Sequence, residues 1–300
     1  MKPGKTLYFI IIALIILLLL IFILSYFISI FETKANSASS YDTCKINTDS
    51  SIKNKSPKTD TLLTINNRKV FIKVPSEKRK GVFLMLHGWN LPADDWCTKT
   101  SICDKVTKLG FYVVLPDMGK SLYQDINYPE TRADMLIYPT RSWLSDTLIP
   151  LLKKDFGLLI ENDNNYIVGL STGARGVALV LLDFPYLFKG AAALSGDYDQ
   201  VKLPTDRLVT AFYGAFGTYK ERWQKIDNPV FRINEFKTPI YLGHGKKDKV
   251  VPPEQTIEFY DSLKKYHPAL KIKLNMPEAA HDYNYWDSEV DNIINFFGIK

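Results

Sequence analysis

Cysteine and histidine are scarce in this chain, with three and four copies among 300 residues. No two of them are spaced like the ligands of a structural zinc ion, so we expect no metal site. Internal repeats, heptads and nucleic-acid-binding motifs are also missing. Their absence excludes repeat and coiled-coil proteins and leaves no reason to expect a DNA or RNA partner.

The three cysteines predict little chemistry of their own. In an oxidising compartment Cys97 and Cys103 could close a short loop and leave Cys44 over, while free thiols are an equal alternative. Neither Cys97 nor Cys103 lies on a recognisable strand-to-helix turn, which argues against a cysteine nucleophile. The residues before Cys44 (41–43) lack the small and aliphatic side chains of a lipidation site.

Charge is absent from residues 7–31, which are almost entirely Ile, Leu, Phe and Tyr. Such a run is long enough to cross a bilayer and exceeds the usual apolar core of a signal peptide, so we predict an uncleaved anchor. A cleaved signal peptide is the alternative, because residues 1–6 are basic and residues 35–37 are small. A short basic amino end favours the cytoplasm, which would place the following domain on the extracytoplasmic side.

Residues 32–60 are polar and carry few apolar side chains, which predicts a flexible tether before a folded domain at 61–300. The net charge of +6 owes much to lysines between residues 45 and 80. These lysines could attract an anionic membrane surface, or they could belong to a solvated linker and an exposed turn.

Beyond the tether, apolar runs alternate with helix-like stretches, which indicates an α/β domain with a mostly parallel sheet of about eight strands. Ligand sites of such sheets lie beyond the carboxyl ends of the strands. A hairpin across Asn66-Asn67 opens the domain. The predicted strands are 61–65, 68–74, 82–86, 111–115, 166–168, 191–194, 240–243 and 271–274, and the predicted helices are 97–109, 143–156, 174–182, 254–266 and 289–297.

Gly169-Leu170-Ser171-Thr172-Gly173 joins a predicted strand to a predicted helix. This context is typical of a nucleophile elbow, in which a strained serine is held at the start of a helix. Only small residues on either side let the neighbouring backbone pass closely enough to form that turn. We therefore predict Ser171 as a nucleophile.

A serine nucleophile needs a base, and the base needs an orienting carboxylate. His281 follows the last predicted strand, and Asp248 follows the strand at 240–243. The resulting chain order, Ser171 then Asp248 then His281, is the order expected of an α/β-hydrolase triad. Asp197 is the rival acid because it also follows a strand, whereas Asp117 lies too early in the chain.

His87-Gly88-Trp89 follows the first buried parallel strand. A hydrolase places one backbone N–H of its oxyanion hole there, and the residue after the nucleophile supplies the other. We assign these donors to Trp89 and Thr172, with Gly88 as the alternative to Trp89. The histidines outside the triad have structural interpretations: loop shaping for His87, bracing of the Asp248 loop for His244 and a surface helix cap for His267.

The segments 116–125, 169–178 and 184–196 give the chain a resemblance to the α/β-hydrolases that covers nearly everything from Val82 onward. It looks most like the esterase branch of S-formylglutathione hydrolase (esterase D), feruloyl esterases and mycolyltransferases. That resemblance implies acyl transfer through a serine acyl-enzyme without a cofactor. Two departures are the Thr172-Gly173-Ala174-Arg175 sequence, where the branch usually has Met-Gly-Gly, and residues 237–252, which are more like carboxylesterases and dienelactone hydrolases.

Aromatic side chains near the predicted site could line an acyl or sugar pocket. They lie beside the oxyanion loop, in the long insertion between the strands near 194 and 240, and after the base: Trp89, Tyr213, Phe216, Tyr283 and Trp286. Core packing is the alternative interpretation for each. The insertion is too short for a full cap domain, so we expect an open site.

Together these features predict a membrane-anchored serine hydrolase that cleaves carboxylic esters, either small molecules or acylated sugars. An acyltransferase and a serine peptidase would use the same triad. An inactive binding protein on the same fold is the alternative from a different class, and such a protein would be expected to have lost a triad residue.

Overall fold

The computed structural model of the protein describes residues 56–300. The predicted anchor at 7–31, the basic start at 1–6 and most of the predicted tether at 32–60 lie outside the described residues. Within residues 56–300, no helix combines the length and the apolar composition that crossing a bilayer requires.

A single sheet of eight strands forms the centre of the domain, in the order β1-β2-β4-β3-β5-β6-β7-β8. The first two strands pair antiparallel, and β3 to β8 run parallel, which confirms the predicted mostly parallel sheet. The strands are β1 Thr61–Ile65, β2 Arg68–Lys73, β3 Gly81–Leu86, β4 Phe111–Pro116, β5 Asn164–Leu170, β6 Gly190–Leu194, β7 Ile240–Gly243 and β8 Ile272–Asn275. At the opening hairpin, Asn66 and Asn67 have φ angles of 50° and 59°, which suit a tight type I′ turn.

The helices connect the parallel strands and flank the sheet. The α-helices are α1 Asp95–Thr98, α2 Ile102–Lys108, α3 Arg141–Trp143, α4 Ile149–Phe156, α5 Thr172–Asp183, α6 Arg207–Tyr213, α7 Lys220–Gln224, α8 Glu254–Tyr266, α9 Tyr283–Ser288 and α10 Val290–Phe297. Short 3₁₀-helices cover Ala133–Met135, Gln200–Lys202 and Val230–Glu235, and a π-helix covers Leu144–Leu148.

Two predicted helices are interrupted. The helix predicted at 97–109 is split into α1 and α2, because the Ser101 N–H donates to Asp287 Oδ1 at 2.6 Å instead of continuing the helix. The helix predicted at 143–156 contains a π turn just before Pro150, a residue without the N–H that an α-helical bond to residue 146 would need. A Cys97–Cys103 disulfide spans the first interruption, with the two Cα atoms 5.0 Å apart.

Apolar side chains alternate between the two faces of the sheet. Val82, Leu84 and Leu86 pack in a core with helices α4, α5 and α8. Phe83 and Met85 face a second core that contains α2, α9 and α10. Because both faces are covered, each parallel strand is a nearly continuous apolar run.

A third, smaller core lies over the carboxyl edge of the sheet. It contains Met135 from the segment after β4 and residues of the insertion between β6 and β7, including Val209, Phe212 and Trp223. Trp89, from the loop after β3, packs against this cluster. The insertion therefore forms a wall beside the ends of the parallel strands.

Candidate active site

Ser171 lies between β5 and α5 with φ 54° and ψ −127°, a backbone conformation that non-glycine residues rarely adopt. The close packing around it explains both glycines of the motif. A Cβ on Gly169 would lie 2.2 Å from the Gly173 carbonyl oxygen, and a Cβ on Gly173 would lie 2.4 Å from that of Leu86. The strand-to-helix turn thus has the geometry of a nucleophile elbow.

His281 lies on the loop between β8 and α9, within reach of the serine. Its Nε2 is 3.0 Å from Ser171 Oγ, and its Nδ1 is 2.6 Å from Asp248 Oδ2. An ionised carboxylate only accepts hydrogen bonds, so Nδ1 carries the proton and Nε2 is free to accept from the serine hydroxyl. Trp286 packs edge-to-face on the imidazole with ring centroids 5.1 Å apart. This contact restricts the rotation of the His281 ring.

Asp248, on the loop after β7, is surrounded by donors. Its Oδ1 accepts from the N–H groups of Val250 and Val251 at 2.8 and 2.9 Å. Burial alone would raise its pKa, but hydrogen bonds from His244, His281, Val251 and Val250 hold the pKa well below the ordinary aspartate value. The group is therefore a permanent anion that orients His281.

A second histidine shares this carboxylate. His244 Nε2 lies 3.1 Å from Asp248 Oδ2 and 3.1 Å from the Val251 carbonyl oxygen. Both are acceptors, so Nε2 is the protonated nitrogen and Nδ1 accepts from the Thr256 hydroxyl at 2.6 Å. The sequence predicted that His244 braces the loop of Asp248, but the contact with the carboxylate itself has no sequence signal.

The loop after β3 passes directly beside the serine. A Cβ on Gly88 would lie 3.0 Å from Ser171 Cβ, so Gly88 and Trp89 flank the elbow. Thr172 is the first residue of α5, and its N–H therefore has no acceptor within the helix. The two predicted oxyanion donors thus come from segments that meet at Ser171.

His87 stabilises the loop after β3 through two hydrogen bonds. Its Nε2 accepts from the Met118 N–H at 2.7 Å, and its Nδ1 donates to the Gly88 carbonyl oxygen at 2.7 Å. Burial lowers the pKa of His87, although the Gly88 bond and Asp117 oppose this effect. The imidazole of His87 is therefore neutral and holds the loop after β3 in place. The Tyr123 hydroxyl donates to the His87 carbonyl oxygen at 2.8 Å and stabilises the same turn.

The other aspartates considered for the triad have different partners. Asp197 forms a buried ion pair with Arg175, with 3.2 Å between Oδ2 and Nη1. Burial raises the pKa of Asp197 and Arg175 lowers it. Asp117 accepts from the Gly119 N–H at 3.0 Å. Among the three aspartates, Asp248 is the one that contacts His281.

The predicted pocket residues are distributed on both sides of the serine. Trp89 packs edge-to-face on Phe212, with centroids 5.9 Å apart, and Phe216 packs on Trp223 at 5.3 Å. Tyr283 stacks edge-on against Trp286 at 4.8 Å. Trp286 is buried and donates to the Ser195 hydroxyl at 3.2 Å. Tyr213 is fully buried, and its hydroxyl accepts from Arg175 at 3.2 Å.

His267 closes the C-terminal end of α8, where Nε2 donates to the Ile233 carbonyl oxygen at 2.7 Å. Within residues 56–300, no group of three or more His, Cys, Asp or Glu side chains could hold a metal ion.

The groups that meet at Ser171 can move a proton from the hydroxyl to His281 and can present N–H donors to an oxyanion.

Part of the sequence is similar to a known family. The sequence profile of the prolyl oligopeptidase family (Peptidase_S9) matches residues 151–297. No curated protein matches the sequence.

Solved structures resemble the described domain more extensively. FphF, a fluorophosphonate-binding serine hydrolase of Staphylococcus aureus, is 17% identical with a TM-score of 0.63, covering 79% of this chain and 96% of its own. The S-formylglutathione hydrolase FrmB of the same organism has the same identity and TM-score, covering 79% and 97%. A ferulic acid esterase is 16% identical with a TM-score of 0.60, covering 83% and 100%. These similarities confirm the predicted α/β-hydrolase fold.

Proposed function

We propose that this protein, which has the α/β-hydrolase fold, is a serine hydrolase that cleaves carboxylic esters. The observation that carries the proposal is the continuous hydrogen-bonded line from Ser171 Oγ through His281 to Asp248, with distances of 3.0 and 2.6 Å. The strained backbone of Ser171 supports the same interpretation, because the turn places the hydroxyl against the base His281.

In the proposed reaction, Ser171 Oγ attacks the ester carbonyl while His281 Nε2 takes the hydroxyl proton. The developing oxyanion accepts from the N–H groups of Trp89 and Thr172. His281 then returns the proton to the leaving alcohol, which leaves an acyl-enzyme at Ser171. A water molecule, deprotonated by His281, attacks the acyl-enzyme, releases the acid and restores the serine.

The aromatic side chains suggest the substrate class. Trp89 and Phe216 lie on the insertion side of the serine, and Tyr283 lies on the other side, beside Trp286. Such surfaces suit an apolar or aromatic acyl group, or a sugar ring stacked on an aromatic face. We therefore infer that the substrate is a small-molecule or acylated-sugar ester. Transfer to an acceptor other than water would use the same groups.

The test of the enzyme class is labelling of the full-length protein with a fluorophosphonate probe. We expect covalent labelling that Ser171→Ala abolishes. Ser195→Ala is the matched control, because Ser195 also follows a parallel strand and has φ 54°, yet its hydroxyl is buried against Trp286. Absence of labelling would contradict the proposal and favour a binding protein. Labelling that survives Ser171→Ala would contradict the assignment of Ser171 as the nucleophile.

A serine peptidase is the second candidate, because the prolyl oligopeptidase profile matches residues 151–297. Aryl esters of different acyl length, acylated sugars and peptidyl anilides distinguish the two classes. We expect turnover of esters and none of anilides. Turnover of peptidyl anilides would favour the peptidase, while Ser171 labelling would be the same for both.

We also propose that residues 7–31 anchor the chain with the domain on the extracytoplasmic side. The uncharged apolar run supports anchoring, and the Cys97–Cys103 disulfide supports an oxidising compartment. In bacterial expression, we expect the protein to stay in the membrane after an alkaline wash and to be digested by protease added to spheroplasts. Release by the wash or protection from the protease would contradict this placement.

A further inference from the structure

A lysine stands shortly before five of the six parallel strands. The five are Lys80 before β3, Lys108 before β4, Lys189 before β6, Lys237 before β7 and Lys271 before β8, and all are exposed. The register aligns the strand starts, for example Gly81 with Phe111 and Ile240 with Ile272. These five lysines therefore lie along the amino edge of the sheet, which we call the basic edge.

Aspartate and glutamate side chains do not pair with the basic edge. None of its five lysines forms an ion pair with such a side chain within residues 56–300, whereas eight lysines elsewhere in that range do: Lys73, Lys99, Lys105, Lys153, Lys202, Lys225, Lys246 and Lys247. Two of the five donate to uncharged oxygens instead, those of Asn164 at 2.7 Å and Phe296 at 2.6 Å. Lys80 donates to the terminal carboxyl group of Lys300 at 3.0 Å.

Three acidic side chains nearby are already paired with other cations. Asp163 binds Arg79 at 2.7 Å, Glu235 binds Arg232 at 2.7 Å, and Glu161 binds Lys153. Four of the five lysines of the basic edge therefore have no carboxylate partner among the described residues. An exposed aromatic side chain accompanies it: Tyr186, in the turn between α5 and β6, is 78% exposed.

The described chain also enters the domain at this edge. Ser56 accepts a hydrogen bond from Arg79 at 3.1 Å and donates to the Phe156 carbonyl oxygen at 3.0 Å. Arg79 directly precedes Lys80 of the basic edge. Ser171 and His244 lie at the opposite edge, about 20 Å away along a six-residue strand.

We propose that the basic edge docks on an anionic lipid surface, so that Ser171 faces away from the membrane. Lysines that lie near anionic headgroups each strengthen binding roughly fivefold, and tyrosine is favoured at the same interface. This docking rests on the anchor proposed for residues 7–31 and does not depend on the hydrolase activity.

The test uses full-length protein in vesicles of phosphatidylcholine, with and without phosphatidylglycerol. A brief reaction with an acetylating ester, read by mass spectrometry, reports the accessibility of each lysine. We expect severalfold lower acetylation of the basic edge in anionic vesicles, with Lys220 and Lys249 at the other edge unchanged. High salt should remove the difference. Equal acetylation in both vesicles, or protection of Lys220 and Lys249, would overturn the proposal.

Charge-matched variants provide the second readout, energy transfer from tryptophan to a dansyl lipid. Replacing all five lysines of the basic edge by glutamine should reduce the transfer in anionic vesicles to the level in neutral ones. A control with five glutamines at Lys202, Lys220, Lys225, Lys246 and Lys247 should keep it. Equal losses in both variants would contradict the proposal. If soluble heparin protects the basic edge and anionic lipid does not, the proposal is wrong and the ligand of this edge is a soluble polyanion.

Discussion

The imidazole of His244 lies 3.1 Å from Asp248 Oδ2, the same oxygen that lies 2.6 Å from Nδ1 of His281. One carboxylate oxygen therefore accepts from two histidines, only one of which reaches Ser171. His244 is fully buried, and acceptors around Nε2 fix its tautomer. Its place in the site is that of a positioning residue that holds the acid.

Replacing His244 tests this role. His244→Phe removes a donor from Asp248, so the carboxylate loses a restraint on its orientation. We expect kcat for an aryl ester to fall roughly tenfold with little change in KM. His244→Gln keeps an N–H at a similar distance and should recover most of the rate. Equal losses in the two variants would indicate a packing role only.

Asp248 and Asp197, the two candidate acids, have different partners, because Asp197 pairs with Arg175. Their substitutions should therefore have different effects. Asp248→Asn should lower kcat by roughly 10⁴-fold while the fold is kept, because an amide favours the wrong tautomer of His281. Asp197→Asn weakens a buried ion pair, so it should lower stability while the folded fraction keeps its kcat. Urea unfolding and active-site titration measure the two effects. A large loss of kcat confined to Asp197→Asn would transfer the acid role to Asp197.

His87 predicts a pH dependence of stability. Its pKa in the folded protein lies below the ordinary value of 6.5, so unfolding takes up a proton when the pH falls below about 6.5. Stability contributed by the neutral imidazole is therefore present above that pH and is lost as the pH decreases. His87→Gln should have a flatter decline of its urea midpoint between about pH 6.5 and 5. Parallel declines would contradict this assignment.

Gly173 predicts the sensitivity of the elbow to one methyl group. Gly173→Ala places a Cβ 2.4 Å from the Leu86 carbonyl oxygen, so we expect about 1–3 kcal/mol of destabilisation and loss of Ser171 labelling. Gly217→Ala is the matched control because no atom lies within 4 Å of its added Cβ. Its stability should change by less than about 0.5 kcal/mol. Similar effects of both substitutions would contradict the packing argument.

Much of the fold was accessible from local patterns. The hairpin at Asn66-Asn67 and the helix at 254–266 occur where the sequence predicts them, since turn chemistry and apolar periodicity act over a few residues. The interruption of the helix predicted at 97–109 was not accessible, because it depends on Asp287, which is far away in the chain. The interruption at 143–156 has a local cause, since Pro150 lacks an N–H, although apolar periodicity alone does not record it.

The candidate site also has features that the sequence predicts and features that it does not. The residue order of Ser171, Asp248 and His281 and the strands before them are visible in the sequence, because a parallel sheet brings strand ends to one edge. Whether Tyr213 faces a pocket or the interior is not visible, because that depends on the packing of the insertion. In the structure Arg175 holds its hydroxyl in the interior.

The sequence by itself determined the order of the strands along the chain, the elbow at Ser171 and the residue types available for its chemistry, because these follow from short-range patterns. Only the tertiary structure decided that His244 and His281 share one oxygen of Asp248, that Asp197 pairs with Arg175 and that five lysines line one edge. The physical reason is that these relationships join residues from different strand ends and helices. Their distances are set by strand pairing and core packing, which no local pattern records.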